Sequence, residues 1–207
     1  MKQFGLIGER LGHSHSKTLH GFLADYNYDL WPMPAEDVDA FMRSKSFDGM
    51  NVTIPYKKRV IPYLSEIGST ARRVGAVNTI VRREDGTLYG DNTDCFGMME
   101  MARRAGIVFK GKKTLILGSG GTSLTACDVV KENGGIPVVV SRNGENNYQN
   151  LHLHRDAAYI INTTPVGMFP NPEAQAVDLR CFPNLQGVLD VIYNPLRTQL
   201  KIGRAHV

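Results

Sequence analysis

Residues 115–123 are the most informative about the fold, and they read Leu115-Ile116-Leu117-Gly118-Ser119-Gly120-Gly121-Thr122-Ser123. An apolar strand, a glycine turn and the start of a helix follow one another in the order that dinucleotide-binding α/β domains use. Glycines tighten such a turn and let backbone N–H groups approach a pyrophosphate at the helix N-terminus. Because Ser123 replaces the third glycine of the usual pattern, the turn alone is equally compatible with a simple strand-to-helix connection.

The next strand favours the nucleotide interpretation. Ile136 to Val140 is β-branched apart from its Pro, so we expect a strand buried on both faces. Arg142 follows it, about 20 residues after the turn, where an NAD-binding chain carries Asp or Glu. A guanidinium donates hydrogen bonds in pairs to a 2′-phosphate and stacks on adenine, whereas the alternative is a solvated strand end. We therefore expect NADP.

Outward from this unit, short apolar runs alternate with helical patterns, which is typical of a mostly parallel α/β fold. The dipeptide Asp85-Gly86 predicts a two-residue hairpin turn. We expect an N-terminal α/β domain at residues 1–92 and a C-terminal Rossmann-like domain at residues 93–207. Strands are predicted at Phe4–Ile7, Tyr28–Met33, Met50–Ile54, Ala76–Arg82, Thr87–Tyr89, Thr114–Leu117, Ala158–Ile161 and Gly187–Val191, and helices at Ser16–Tyr26, Pro34–Arg43, Thr93–Ala105 and Leu124–Glu132.

Composition narrows the classes of function. The chain has 207 residues, of which 42% are hydrophobic and 21% charged, and its net charge is +4. The basic residues form no run, which favours a small anionic ligand over nucleic acid. Three widely spaced cysteines, Cys95, Cys127 and Cys181, are interpreted as buried thiols in a reducing compartment. Without a signal peptide or an apolar run of membrane-spanning length, we expect a cytoplasmic protein with no membrane partner.

Histidines come in two closely spaced pairs, His13/His15 and His152/His154. Neither pair has a third ligand at a suitable spacing, so we expect no metal site.

Three polar features of the first domain are candidates for a substrate site. Ser14 and Ser16 precede a helix, and their hydroxyls can donate to a carboxylate; the alternative is that Ser16 only caps the helix. Lys57 follows the end of an apolar strand, where α/β sheets bind ligands, although a surface cation is the alternative. Asn78 and Asp94 lie in polar turns, and each is also compatible with turn or cap chemistry.

Taken in order, the motifs resemble the shikimate dehydrogenase family from about Phe4 to Leu200. They are the Ser14/Ser16 loop, Asn51-Val52-Thr53-Ile54-Pro55-Tyr56-Lys57, Gly75-Ala76-Val77-Asn78-Thr79, Asn92-Thr93-Asp94, the glycine turn, Asn162-Thr163-Thr164-Pro165-Val166-Gly167-Met168 and Asp190-Val191-Ile192-Tyr193-Asn194-Pro195. The resemblance implies an NADP-dependent oxidoreductase that acts on a CH–OH group, reversibly reducing 3-dehydroshikimate to shikimate in aromatic amino-acid (chorismate) biosynthesis. It also implies a small-molecule substrate and a monomer or homodimer.

The resemblance also implies a role for each matching residue. It makes Lys57 the catalytic residue with Asp94 as its partner, and it places Ser14 and Ser16 on the substrate carboxylate. The residues expected around the substrate ring and its hydroxyls are Thr53, Asn78, Asp94 and Tyr193. Those expected to contact NADP are Gly118, Ser119, Gly120, Gly121, Thr122, Ser141, Arg142, Asn143 and Val191. Lys17 stands where many members have Pro, which changes the helix entry and not the hydroxyls.

The C-terminus departs from the family pattern. Members usually continue well beyond the Tyr193 motif and bring a Gln to the substrate. The residues Ile202 to Val207 correspond to ATC-GGA-AGA-GCA-CAC-GTC, a reading frame of a common sequencing-library adapter. We expect a truncated chain, with a short natural tail as the alternative. Two further hypotheses stay open: a sister enzyme that oxidises quinate, and a fragment that binds NADP without activity.

Overall fold

The computed structural model describes residues 2–12, 14–23 and 25–202. The backbone divides into two compact units, residues 1–93 and 94–207, one residue after the predicted domain boundary. The α/β fold class with mostly parallel pairing is confirmed. No helix among the described residues is long and apolar enough to cross a membrane.

The first unit is a six-stranded mixed sheet in the order β2-β1-β3-β5-β6-β4. The β1–β2, β1–β3 and β4–β6 pairs are parallel, and the β3–β5 and β5–β6 pairs are antiparallel. The elements are β1 Phe4–Gly8, α1 Ser16–Leu23, β2 Tyr28–Pro32, α2 Ala35–Ser44, β3 Gly49–Val52, β4 Glu66–Ile67, α3 Ser69–Val74, β5 Thr79–Arg82 and β6 Leu88–Asp91, with a 3₁₀ turn at Ile61–Tyr63.

The core of this unit follows from the apolar pattern. Val38 and Met42, one helical turn apart on α2, are fully buried, and they pack with Ile7 and Val52 of the sheet. By contrast, α1 buries none of its residues, and Ser14 and Ser16 at its start are partly exposed.

Several local predictions for this unit were wrong in detail, among them the start of β5, which lies at Thr79 and not at Ala76. The strand β3 ends at Val52 and not at Ile54, because the N–H of Tyr56 donates to the carbonyl of Thr53 at 2.9 Å and closes a turn that leaves Ile54 67% exposed. The hairpin at residues 83–87 is confirmed, but its loop is one residue longer than predicted. Arg83 still pairs with Thr87, and Gly86 closes the turn with φ +80°.

The second unit contains a four-stranded parallel sheet in the order β10-β9-β7-β8. Its elements are α4 Asp94–Arg104, β7 Lys113–Leu117, α5 Gly121–Glu132, β8 Ile136–Val140, β9 Tyr159–Asn162, β10 Gly187–Asp190 and α6 Gln199–Ile202, with 3₁₀ turns at Leu151–His154 and Leu179–Cys181. The central strands β7 and β9 carry its core; Leu115, Leu117, Ile160 and Ile161 are fully buried.

Two burial predictions for this unit were wrong. The strand β8 is not buried on both faces: it is the edge strand of the sheet, and only Val140 among its residues is buried. Pro137 fits an edge strand because it has no N–H to donate to a further strand. The cysteines are not all buried either; Cys95 is buried, Cys127 is half-buried and Cys181 is exposed. His13 and residues 203–207, on which two predictions bear, lie outside the described residues.

Candidate functional site

The two serines of the first unit lie side by side. The Ser14 hydroxyl donates to Ser16 Oγ at 3.1 Å, and the backbone N–H of Ser16 donates to Ser14 Oγ at 3.2 Å. It is therefore Ser14, not Ser16, whose side chain accepts a backbone N–H where α1 begins. The ammonium of Lys17, the residue that replaces the family's Pro, pairs with Asp29 at 2.6 Å. Two adjacent hydroxyls at a helix start suit a carboxylate.

A tyrosine continues this polar group towards the sheet. The Tyr28 hydroxyl donates to Asn51 Oδ1 at 2.7 Å, and it also hydrogen-bonds to the Ser16 side chain. Burial, together with the neighbouring Tyr26, raises the pKa of Tyr28 to about 12, although the bond to Ser16 opposes the shift. The phenol is therefore protonated at neutral pH and acts as a donor.

Further amide and hydroxyl side chains continue these hydrogen bonds across the sheet. Antiparallel pairing of β3 with β5 sets Asn51 opposite Thr79, and Asn51 Nδ2 donates to Thr79 Oγ1 at 3.2 Å. Thr79 Oγ1 donates to Asn78 Oδ1 at 3.0 Å, and the amide of Asn78 bonds to both the backbone N–H and the hydroxyl of Thr93. We call Ser14, Ser16, Tyr28, Asn51, Thr79, Asn78 and Thr93 the hydroxyl–amide line.

Lys57 is held beside this line by its backbone. Its carbonyl accepts the N–H of Val77 at 2.8 Å, directly before Asn78. The preceding Tyr56 is 1% exposed and donates its hydroxyl to the carbonyl of Met33 at 2.6 Å, which anchors the segment from Thr53 to Lys57. Lys57 itself is partly exposed. The first unit thus brings Ser14, Ser16, Asn78, Thr53 and the Lys57 backbone onto neighbouring segments.

Asp94 is the next residue after Thr93, and it is the first residue of α4. A carboxylate in a first helical turn is stabilised by the unpaired N–H groups and the helix dipole.

The second unit presents its predicted residues along the carboxyl edge of the parallel sheet. Leu117 pairs with Val140 on one side and Asn162 on the other, so the segments that follow β7, β8 and β9 emerge side by side. The N–H of Gly118 donates to the carbonyl of Val140 at 2.8 Å, and that of Thr163 donates to Leu117 at 2.9 Å. This is the edge at which α/β sheets bind nucleotides.

The glycine turn can accept a pyrophosphate. Gly118 has φ +104°, and a Cβ there would lie 3.0 Å from the side chains of both Thr163 and Thr164. A Cβ on Gly120 would meet no heavy atom within 4 Å, so this residue faces open space where α5 begins at Gly121. Ser123 is buried and donates its hydroxyl to the carbonyl of Gly120 at 2.6 Å, which accommodates it in place of the third glycine. These observations fit a dinucleotide phosphate group.

The segment after β8 carries the predicted 2′-phosphate residues. The N–H of Ser141 donates to the carbonyl of Asn146 at 3.0 Å, which folds the loop back on itself. Arg142 and Asn143 are exposed. Tyr148 lies close enough to Arg142 for its pKa, raised by burial, to be partly lowered by the guanidinium. An exposed guanidinium next to the glycine turn suits a phosphate.

Val191 and Tyr193 follow β10 at the same edge. A buried carboxylate fixes their segment: Asp190 Oδ1 accepts from Asn162 Nδ2 and from the N–H of Ile192, each at 3.1 Å, and Oδ2 accepts from Thr198 at 2.6 Å. Tyr193 is 55% exposed. Its assignment to the substrate ring stays a prediction.

Several residues of the two candidate sites were not singled out from the sequence. Asn51, Thr79 and Thr93 lie within the quoted motifs, and the register of β3 against β5 is what joins the first two. Tyr28 gave no signal, since an aromatic residue at the start of a strand is more often core. Asp190 and Asn162 were likewise quoted without a role. Among the described residues, no group of three or more His, Cys, Asp or Glu side chains could hold a metal ion.

Comparison with known proteins agrees with this geometry. Residues 6–80 match the family model described as "Shikimate dehydrogenase substrate binding domain". Shikimate dehydrogenase (NADP(+)) of Clostridium perfringens SM101 is 34% identical over 228 residues, spanning 99% of this chain and 83% of the relative. The crystal structure of shikimate dehydrogenase 1 from Peptoclostridium difficile has a TM-score of 0.88 and 36% identity, covering 98% of this chain and 82% of that one.

A third relative carries ligands. The shikimate 5-dehydrogenase of Thermus thermophilus, solved in complex with NADP(H) and shikimate, has a TM-score of 0.84 and 28% identity over 98% of this chain and 83% of its own.

Proposed function

This chain belongs to the shikimate dehydrogenase family, and from that premise we propose that it catalyses the NADP-dependent, reversible reduction of 3-dehydroshikimate to shikimate. The observation that carries the proposal is the hydroxyl–amide line of the first unit. A substrate with one carboxylate and several ring hydroxyls needs a row of donors and acceptors, and the line supplies them from Ser14 to Thr93.

The serine pair supports recognition of the carboxylate. Both hydroxyls are partly accessible, and both can turn their protons to an anion. Thr53, Asn78, Asp94 and Tyr193 are proposed to bind the ring and its hydroxyls. This extends the family pattern to this chain residue by residue.

The carboxyl edge of the second unit supports NADP as the cofactor. We assign the pyrophosphate to the backbone from Gly118 to Thr122 and the 2′-phosphate to the segment Ser141–Asn143. Val191 is assigned to the nicotinamide side. The nicotinamide supplies or accepts the hydride, and the protein contributes position and electrostatics.

Lys57 is proposed to manage the proton. Reduction of the ketone by hydride places negative charge on its oxygen, which an ammonium stabilises and then protonates. In the reverse direction the neutral amine accepts the hydroxyl proton as the hydride leaves. Asp94 is proposed as the second catalytic residue, a carboxylate that orients the amine and binds a substrate hydroxyl.

The direct test is an assay of NADPH formation from NADP and shikimate by the wild-type chain. We expect NADPH to form with shikimate, and to form more slowly with quinate or with NAD. Parallel calorimetric titrations separate the possibilities. A chain that binds NADP but neither shikimate nor quinate would refute the proposed activity and leave a cofactor-binding fragment.

A further inference from the structure

One tyrosine hydroxyl joins the two halves of the hydroxyl–amide line. Tyr28 opens β2 and is 5% exposed. Its single proton is directed to Asn51 Oδ1 at 2.7 Å. In its bond with Ser16, the Tyr28 oxygen must therefore be the acceptor. Tyr28 thus links the serines to the amides with both of its hydrogen-bonding functions in use.

The line has a single polarity as a result. Ser14 donates to Ser16, Ser16 to Tyr28, and Tyr28 to Asn51. Asn51 then donates to Thr79, and Thr79 to Asn78. This order turns Asn51 Oδ1 towards Tyr28 and its Nδ2 towards Thr79 and the backbone carbonyl of Asn78, so the tyrosine proton and that carbonyl together orient the Asn51 amide.

Packing fixes the Tyr28 ring. The imidazole of His20 stacks on it with centroids 3.7 Å apart and planes 9° apart. His20 is itself held, because Nδ1 hydrogen-bonds to the Tyr26 hydroxyl and the imidazole also hydrogen-bonds to Asn51. A phenol held in this way presents its hydroxyl at one place and in one orientation.

We propose that Tyr28 is a positioning residue of the substrate site, whose hydroxyl orients Ser16 and Asn51 and so couples recognition of the carboxylate to recognition of the ring hydroxyls. The proposal rests on the proposed function. When the substrate carboxylate binds, the Ser16 hydroxyl turns its proton from the Tyr28 oxygen to the carboxylate. Tyr28 keeps its own hydrogen bond to Asn51. Without the phenolic hydroxyl, the Ser16 hydroxyl loses an acceptor and Asn51 Oδ1 loses its donor from the phenol.

The test is Tyr28→Phe, which keeps the ring and its stack on His20. We expect the Kd of shikimate, measured by calorimetry, to rise about tenfold, as for a lost hydrogen bond in a polar network. The Kd of NADP and the kcat should change less than about twofold, because the hydroxyl contributes to binding and not to the chemical step. Tyr159→Phe is the control, since it removes a similarly buried hydroxyl, in the second unit, that also donates to a side-chain amide oxygen, that of Gln186 at 3.2 Å.

A double-mutant cycle with Ser16→Ala distinguishes positioning from a general structural role. If Tyr28 acts partly through Ser16, adding Tyr28→Phe to Ser16→Ala should weaken shikimate binding by clearly less than the about tenfold seen alone. Fully additive losses, an equal loss in Tyr159→Phe, or a Tyr28→Phe chain that no longer folds would each overturn the inference. A wild-type chain that fails to bind shikimate would instead refute the proposed function, and this inference with it.

Discussion

The two units of this chain build their sites from different materials. The first unit uses side chains on a loop, three strands and the last turn before α4, and each is oriented by hydrogen bonds to its neighbours. The second unit uses backbone: a glycine turn and three loops at the edge of a parallel sheet, with their places set by strand register. The first site should therefore be sensitive to loss of single polar atoms, and the second to added carbon atoms.

The largest effect should come from Lys57. We expect Lys57→Ala to lower kcat by about 10³-fold, within the range of proton-transfer contributions, and to leave NADP affinity nearly unchanged. Steady-state rates with matched cofactor titrations measure both. Lys58→Ala, which removes the adjacent exposed lysine, should behave as the wild type; unchanged turnover in Lys57→Ala would remove Lys57 from the mechanism.

Arg142 carries the charge that we propose binds the 2′-phosphate of NADP in the second unit. Arg142→Ala should weaken NADP binding by about 30-fold, as for loss of charge-assisted hydrogen bonds, and hardly affect NAD. Fluorescence titration of NADPH and NADH gives the two affinities. Arg155→Ala removes another exposed arginine of the same unit and should change neither, whereas equal losses for both cofactors in Arg142→Ala would argue against a 2′-phosphate contact.

Two alanine substitutions in the glycine turn distinguish backbone strain at Gly118 from steric access of the phosphate at Gly120. Gly120→Ala should lower NADP affinity by about tenfold at unchanged Tm, because its Cβ occupies open space at the helix start. Gly118→Ala should lower the Tm by several degrees, since φ +104° strains a residue with a Cβ and costs about 1–3 kcal/mol. Thermal melts and cofactor titrations of both variants decide; a Gly120→Ala chain with wild-type affinity would separate the turn from the phosphate.

The smallest effect concerns pH and one histidine in each unit. Burial lowers the pKa of His20 and of His154 from 6.5, a shift opposed at His20 by a bond to Asn51 and increased at His154 by Lys113. The unfolded chain therefore takes up these protons at a higher pH than the folded chain. Stability should be full above about pH 6.5 and decline as the pH falls further.

Tm values above and below about pH 6.5 test this in His20→Gln and His154→Gln. In each variant the Tm should fall less at acid pH than in the wild type. In His152→Gln, at an exposed position, the Tm should fall as much as in the wild type. A decline that is equally steep in all three variants would assign the acid sensitivity to other groups.

The same contrast between the units explains how far the sequence could be interpreted. The fold of the second unit was predictable because its strand, glycine turn and helix are contiguous in the sequence. The strand β8, with the segment Ser141–Asn143 after it, also occurs where predicted. Burial of β8 was not predictable, since its place at the edge depends on how distant strands order themselves.

The first unit was less predictable for a related reason. Ser14, Asn78 and Lys57 stood out only through motifs, and the link between Ser14 and Asn78 runs through Tyr28 and Asn51, which are 23 residues apart. Only the pairing of β1 with β2 and β3 brings those two side chains together. A one-residue slip in any of these strands would turn them to opposite faces, and local sequence patterns do not fix that register.

The most direct measurement is a crystal structure of the wild-type chain with shikimate. We predict that the carboxylate lies within hydrogen-bonding distance of both Ser14 and Ser16 and that a ring hydroxyl contacts Asn78. Shikimate bound away from the hydroxyl–amide line, or with its carboxylate turned from the serines, would contradict the proposed recognition.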